Sequence, residues 1–122
     1  MEVEQVLNTE FESAVEFLYS FIDYERSLFG KYDDRTFNLE RLRSFLSTLG
    51  NPHERGWYVH IAGTNGKGSV AAMVAGALTQ AGLRTGLYTS PHLITFCERI
   101  RIDGCMVTPG EIVAGVARIK ET

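Results

Sequence analysis

An α/β fold with a phosphate-binding loop and a mostly parallel sheet flanked by helices is predicted by three features of the sequence. Residues 57–62, Trp-Tyr-Val-His-Ile-Ala, form a short aromatic and β-branched run that leads straight into glycines, as a buried parallel strand does at its carboxyl end. Gly63, Thr64, Asn65, Gly66, Lys67, Gly68 and Ser69 follow as a glycine loop. From Lys67 to Ala81 the residues Val70, Met73, Val74, Ala77, Leu78 and Ala81 share one helical face, Gly82 sits where a C-terminal cap belongs, and residues 84–88 predict a second strand. Strand, loop, helix and strand in that order make a βαβ unit, the building block of doubly wound sheets.

Ahead of this unit, Thr9 with Glu12 three residues on reads as a helix start. Phe11, Val15, Leu18, Tyr19 and Ile22 then fall on one face and predict a core-facing stripe. Residues 25–36 include Gly30, Lys31, Asp33, Asp34 and Arg35 and predict a solvated loop. Asn38 caps a second predicted helix with the stripe Leu39, Leu42, Phe45, Leu46 and Leu49, and Gly50 with Pro52 stops it.

Beyond Pro91, residues 98–102, Glu-Arg-Ile-Arg-Ile, alternate as a strand. Asp103-Gly104 supplies a tight hairpin turn and residues 105–107 return from it. Thr108, Pro109, Gly110 and Glu111 form a capping box with proline at the first helical position. They launch a helix whose apolar face is Ile112, Val113, Val116 and Ile119.

A length of 122 residues sets a ceiling of one domain, and 44% hydrophobic with 22% charged residues predicts a packed core. The net charge of −3 comes without a basic block, which argues against a nucleic-acid partner. Residues 1–16 are rich in Glu and lack the features of a secretory signal, and no apolar run is long enough to span a bilayer. A cytoplasmic protein without a membrane partner is expected. Cys97 and Cys105 form no CxxC pair and have no histidine cluster beside them, so they read as reduced thiols.

The glycine loop is where the chemistry concentrates. Glycines let backbone N–H groups turn inward, and the following helix adds the positive end of its dipole, so a polyphosphate meets donors and a favourable field together. Lys67 has the reach for the β- and γ-phosphates of ATP. The hydroxyl of Ser69, one turn into the helix, is placed for the magnesium ion that bridges them. A bulky side chain at Gly66 is expected to obstruct the wrap. The general pattern GxxxxGK[ST] is met imperfectly, because Ile61 stands at its first glycine and Gly68 follows the lysine. The alternative is a glycine-rich turn carrying an exposed lysine.

The loop GTNGKGS, preceded by His60-Ile61-Ala62, resembles that of the Mur ligase superfamily, and within it the folylpolyglutamate synthase and dihydrofolate synthase family. Residues 37–41 and 49–52 upstream, and residues 86–93 (GLYTSPHL) and 98–102 (ERIRI) downstream, look like that family's landmarks in the same order. The resemblance implies the truncated N-terminal part of a Mur ligase-like ATPase domain. It comprises a helical lead-in over residues 1–56, the βαβ unit over 57–90, and a loop, hairpin and the start of a helix over 91–122.

The implied activity is an ATP-dependent ligase of folate and one-carbon metabolism. Such an enzyme phosphorylates a folate or dihydropteroate carboxylate and lets the amino group of L-glutamate displace phosphate. The implied cofactors are ATP and magnesium, and the full-length protein is expected to be a monomer. Thr64, Asn65, Gly66 and Lys67 carry over as nucleotide contacts and Ser90 as a magnesium ligand, although Ser90 also reads as a simple cap of the turn before Pro91. Asp34, Arg35, Thr36, His92, Phe96 and Arg99 fall where the family touches substrate. A solvated loop, a turn histidine, a core phenylalanine and a surface arginine would look the same. A non-catalytic nucleotide-binding module, or another phosphate-loop enzyme such as a muropeptide ligase or a small-molecule kinase, are the competing readings.

Overall fold

The computed structural model describes residues 2–21 and 39–122. The expected loop at 25–36, the cap at Asn38 and the apolar Ile22 lie outside the described residues. The described residues form four α-helices and a small sheet: α1 (Glu2–Ser20), α2 (Leu39–Thr48), α3 (Lys67–Gln80), β1 (Gly86–Tyr88), β2 (Ile100–Ile102), β3 (Cys105–Met106) and α4 (Pro109–Lys120).

The core forms where α1 lies against α4. Ala14, Cys97, Ile112 and Val116 are buried, and Phe11, Phe17, Leu18, Phe96, Ile100, Val107 and Val113 pack around them. The small Ala14 side chain lies at the centre of the buried stripe, flanked by the larger Phe11, Phe17 and Leu18. The Lys120 ammonium sits 4.5 Å from the centroid of the Phe17 ring, which lets the charged end of α4 cover the aromatic edge of the contact. Thr9 is no N-cap: α1 begins seven residues earlier, at Glu2, and the Thr9 hydroxyl donates to the Gln5 carbonyl at 3.0 Å. Mid-helix threonine with Glu at the third following position mimics the capping signature, because the back-bond to the fourth preceding carbonyl satisfies the same hydroxyl.

The hairpin follows the sequence closely. Asp103 (φ 50°) and Gly104 (φ 83°) both take the left-handed region that a two-residue hairpin turn requires. Asp103 also ties this turn to the chain before β1: its N–H donates to the Thr85 carbonyl at 2.8 Å, and its Oδ1 accepts the Thr85 N–H at 2.7 Å. β1 pairs antiparallel with β2 (Leu87 opposite Arg101), and β2 antiparallel with β3, in the order β1-β2-β3. The capping box at α4 is formed as expected: Glu111 Oε2 accepts the Thr108 N–H at 2.7 Å and the Thr108 hydroxyl at 2.8 Å. These two bonds, the backbone one first, hold the Glu111 carboxyl below its ordinary pKa.

Three expectations are corrected. Residues 57–62 carry no regular secondary structure and pair with no described strand, so the parallel βαβ pairing is not formed among the described residues and the described sheet is antiparallel. Trp57 is fully exposed, and Tyr58 and Val59 are mostly so. An apolar run on both faces states what a segment needs on either side, and no described strand supplies it. The apolar stripe of α3 is likewise uncovered, with Met73 exposed and no residue of the helix buried. Finally, Glu98 and Arg99 are not strand residues: Phe96–Arg99 is a 3-10 turn capped by Thr95, and the strand starts at Ile100.

Candidate phosphate-binding site

Residues 63–69 join the segment 57–62 to α3 and are exposed throughout. Gly66 is the N-cap of α3 and adopts φ 75°, while Gly63 adopts φ 155°. Both angles lie where only glycine is unstrained. A Cβ at Gly66 would meet nothing within 4 Å, so the penalty for a side chain there is in the backbone and not in the obstruction the sequence suggested. No side chain caps α3. Its first N–H groups are therefore left for water or for an anion, at the positive end of the helix dipole.

The Lys67 ammonium folds back over the loop and donates to the Gly63 carbonyl at 2.8 Å and to the Thr64 carbonyl at 3.4 Å. This places a cation beside the uncapped amides of the same turn. The backbone at Gly66 also accepts the Val70 N–H at 3.0 Å, closing the first turn. Ser69 is exposed in that first turn of α3, and Ser90 is exposed two residues past the end of β1. Among the described residues no group of three or more His, Cys, Asp or Glu side chains gathers to hold a metal. A magnesium ion bridging a nucleotide needs only one or two protein oxygens beside the phosphates and water, so exposed hydroxyls at Ser69 and Ser90 fit that modest demand.

The structure brings His92, Phe96 and Arg99 into one cluster. Arg99 Nε donates to His92 Nδ1 at 2.8 Å, the His92 and Phe96 rings are 6.0 Å apart, and the Arg99 guanidinium lies 5.3 Å from the Phe96 centroid and 6.0 Å from that of Tyr19. Arg99 is buried, not the surface residue its type suggests. Phe96, Arg99 and Tyr19, with Ile112 and Glu111 of α4, line a largely apolar groove of about 680 Å³. The hydrogen bonds described for the glycine loop stay within residues 63–70. Asp34, Arg35 and Thr36 lie outside the described residues.

Glu98 and Tyr19 were not legible as site neighbours in the sequence. The signal for Glu98 was present: Thr95 with Glu98 is a capping-box spacing, but the alternation of residues 98–102 drew Glu98 into the strand.

No protein-family model matches the chain. The folylpolyglutamate synthase of Lacticaseibacillus casei is 43% identical over 86 residues, which are 70% of this chain and 20% of that protein. The dihydrofolate synthase/folylpolyglutamate synthase of Bacillus subtilis is 40% identical over 82 residues, 67% of this chain and 19% of that protein. In structure, the folylpolyglutamate synthase of Thermotoga maritima superposes with a TM-score of 0.75 at 36% identity, over 93% of this chain and 24% of that one. A solved FPGS–AMPPCP–folate complex gives a TM-score of 0.72 at 38% identity, over 91% of this chain and 25% of that one.

The structures that superpose on the chain place it among proteins of Mur ligase-like fold. Among these, the chain belongs to the folylpolyglutamate synthase and dihydrofolate synthase family. It spans about a fifth of the length of the two curated relatives.

Proposed function

We propose that this chain carries the nucleotide-binding part of an ATP-dependent ligase that adds L-glutamate to a folate or dihydropteroate carboxylate. The observation that carries the reading is the uncapped N-terminus of α3, entered through left-handed Gly66 and crossed by the Lys67 ammonium, in a chain similar to a complex with AMPPCP and folate. Thr64, Asn65, Gly66, Lys67, Gly68 and Ser69 wrap the phosphates, with Gly63 opening the turn. Ser69 and Ser90 hold magnesium, which supplies charge neutralisation to the phosphates when bound.

Transfer of the γ-phosphoryl group to the acceptor carboxylate gives an acyl phosphate and ADP. Attack of the glutamate amine then forms the amide and releases phosphate. The chain's own contribution is alignment and positive charge, which is most of what phosphoryl transfer asks of a protein. His92, Phe96 and Arg99, with Asp34, Arg35 and Thr36, contact the acceptor. Residues 57–62 serve as a strand of a mostly parallel sheet once the rest of the domain lies beside them. The full-length enzyme works as a cytoplasmic monomer.

The test is calorimetry with magnesium and ATP on the chain and on Lys67→Ala. Charge-assisted hydrogen bonds are worth about 1.5–3 kcal/mol, so the variant should bind at least about tenfold more weakly with its circular dichroism unchanged. Equal affinity in the two proteins would refute the role of Lys67. In a full-length context, phosphate release that requires both folate and glutamate separates the ligase from a kinase, which would leave a stable phosphorylated product, and from a binding module that does not turn over.

A further inference from the structure

The excursion from Ser90 to Glu98 joins β1 to β2. Its ends are tied where Tyr88 pairs with Ile100 and where the Thr89 N–H donates to the Arg99 carbonyl at 2.9 Å. Two adjacent residues at the returning end reach back into the excursion. The Glu98 carboxylate accepts three backbone N–H groups: from Leu93 to Oε2 at 2.9 Å, and from Ile94 and Thr95 to Oε1 at 2.8 and 2.9 Å. Arg99 Nε holds His92 through Nδ1. All four residues from His92 to Thr95 are therefore gripped by side chains of the stem.

A helix cap explains one of these bonds. In a capping box the acidic residue takes the N–H of the N-cap residue, here Thr95. The Leu93 and Ile94 amides lie upstream of the cap and outside the helical turn. Their side chains do nothing to order the segment, since Leu93 is 91% and Ile94 92% exposed. Apolar side chains ordinarily fix a loop by turning inward. This loop is fixed by its backbone, through one carboxylate.

We propose that Glu98 is a positioning residue: by holding the amides of Leu93, Ile94 and Thr95 it sets the loop conformation in which the Ser90 hydroxyl and the His92 imidazole meet the magnesium nucleotide. This rests on the reading of Ser90 as a magnesium ligand given above. Because His92 Nδ1 accepts a hydrogen bond from Arg99, its proton is assigned to Nε2, which leaves an N–H donor on the opposite side of the ring. Loss of the Glu98 carboxylate releases the loop apex while the Arg99 bond to His92 remains.

Glu98→Gln keeps the shape of the side chain but sets an NH2 group against N–H donors. Two readouts are taken on the 122-residue chain: amide hydrogen exchange at residues 93–95 by NMR, and AMPPCP affinity with magnesium and with EDTA. The expected result is at least tenfold faster exchange at Leu93, which loses its acceptor while the amide oxygen can keep the Ile94 and Thr95 bonds, a tenfold smaller gain in affinity from magnesium, and unchanged affinity in EDTA, because the glycine loop is untouched. Faster exchange with the full magnesium gain overturns the proposal and leaves the nucleotide reading standing. An equal fall in both affinities assigns Glu98 to stability alone and also overturns it. An unaltered chain that binds no AMPPCP overturns the nucleotide reading and this proposal together. Should Glu98→Gln not fold, Glu98→Asp keeps the charge but is too short to reach all three amides, and the same outcomes apply.

Discussion

The Glu98 carboxyl is held down to about 2 from an ordinary value of 4.5, by the Leu93 N–H first and then by those of Thr95 and Ile94. A carboxyl whose folded pKa is depressed stabilises the fold fully above its unfolded value, and that contribution fades as pH falls through the folded one. The grip on the loop should thus be complete above pH about 4.5 and lost as pH approaches 2. Amide chemical shifts of residues 93–95 followed through that window check this; shifts that titrate at the ordinary value would mean the three bonds do not form in solution. At the same scale, Gly66 shows a cost that contacts do not reveal. Its surroundings are open, yet its φ of 75° excludes most side chains. Sequence identified this glycine as essential but attributed the reason to crowding, since spacing cannot distinguish a steric limit from a backbone one.

Among the elements, those whose signals are local were the legible ones. The Asp103-Gly104 turn, the Thr108–Glu111 capping box and the glycine stops after α2 and α3 each depend on a few adjacent residues. After α2 and α3 the same arrangement recurs: the Asn51 N–H donates to the Leu46 carbonyl at 2.9 Å and the Leu83 N–H to that of Leu78 at 3.1 Å, past Gly50 and Gly82 in the left-handed region. What stayed illegible was pairing. Whether residues 57–62 find strands beside them, and which helix covers Ala14, depends on distant partners that periodicity does not name. The Ser90 assignment came only from a family pattern, whereas Lys67 was read from the chemistry of the glycine loop itself, and the burial of Arg99 was not legible because an arginine buried on aromatic rings carries no local mark. The α1–α4 contact can be probed through Ile112, which is 6% exposed. Ile112→Ala removes buried methyl groups and should cost about 2–4 kcal/mol, read from urea unfolding. A loss below about 0.5 kcal/mol would mean that this interface is not what holds the chain together.

At the scale of the whole molecule, the apolar side chains of the described residues divide into covered and open ones. The α1–α4 core buries its residues, whereas Trp57, Met73, Leu93 and Ile94 are 101%, 73%, 91% and 92% exposed. Apolar side chains this exposed favour binding to other apolar surfaces or association. The 122-residue polypeptide should therefore bind an apolar dye such as ANS and associate as its concentration rises, measured by sedimentation. A longer family member containing the same residues should do neither, and a dye-silent monomer would show that these side chains are covered within the chain itself.

The packing of α1 on α4 also has a kinetic meaning. Helix α1 ends at Ser20 and its partner begins at Pro109, so the contact that makes the core joins the two most distant elements of the described chain. Contacts of long sequence separation close late, because the loop entropy is lost before the contact is gained. During synthesis α1 must wait, apolar stripe bare, until α4 has followed it. The hairpin and the glycine-loop helix, by contrast, rest on local bonds and can form while α1 is still waiting.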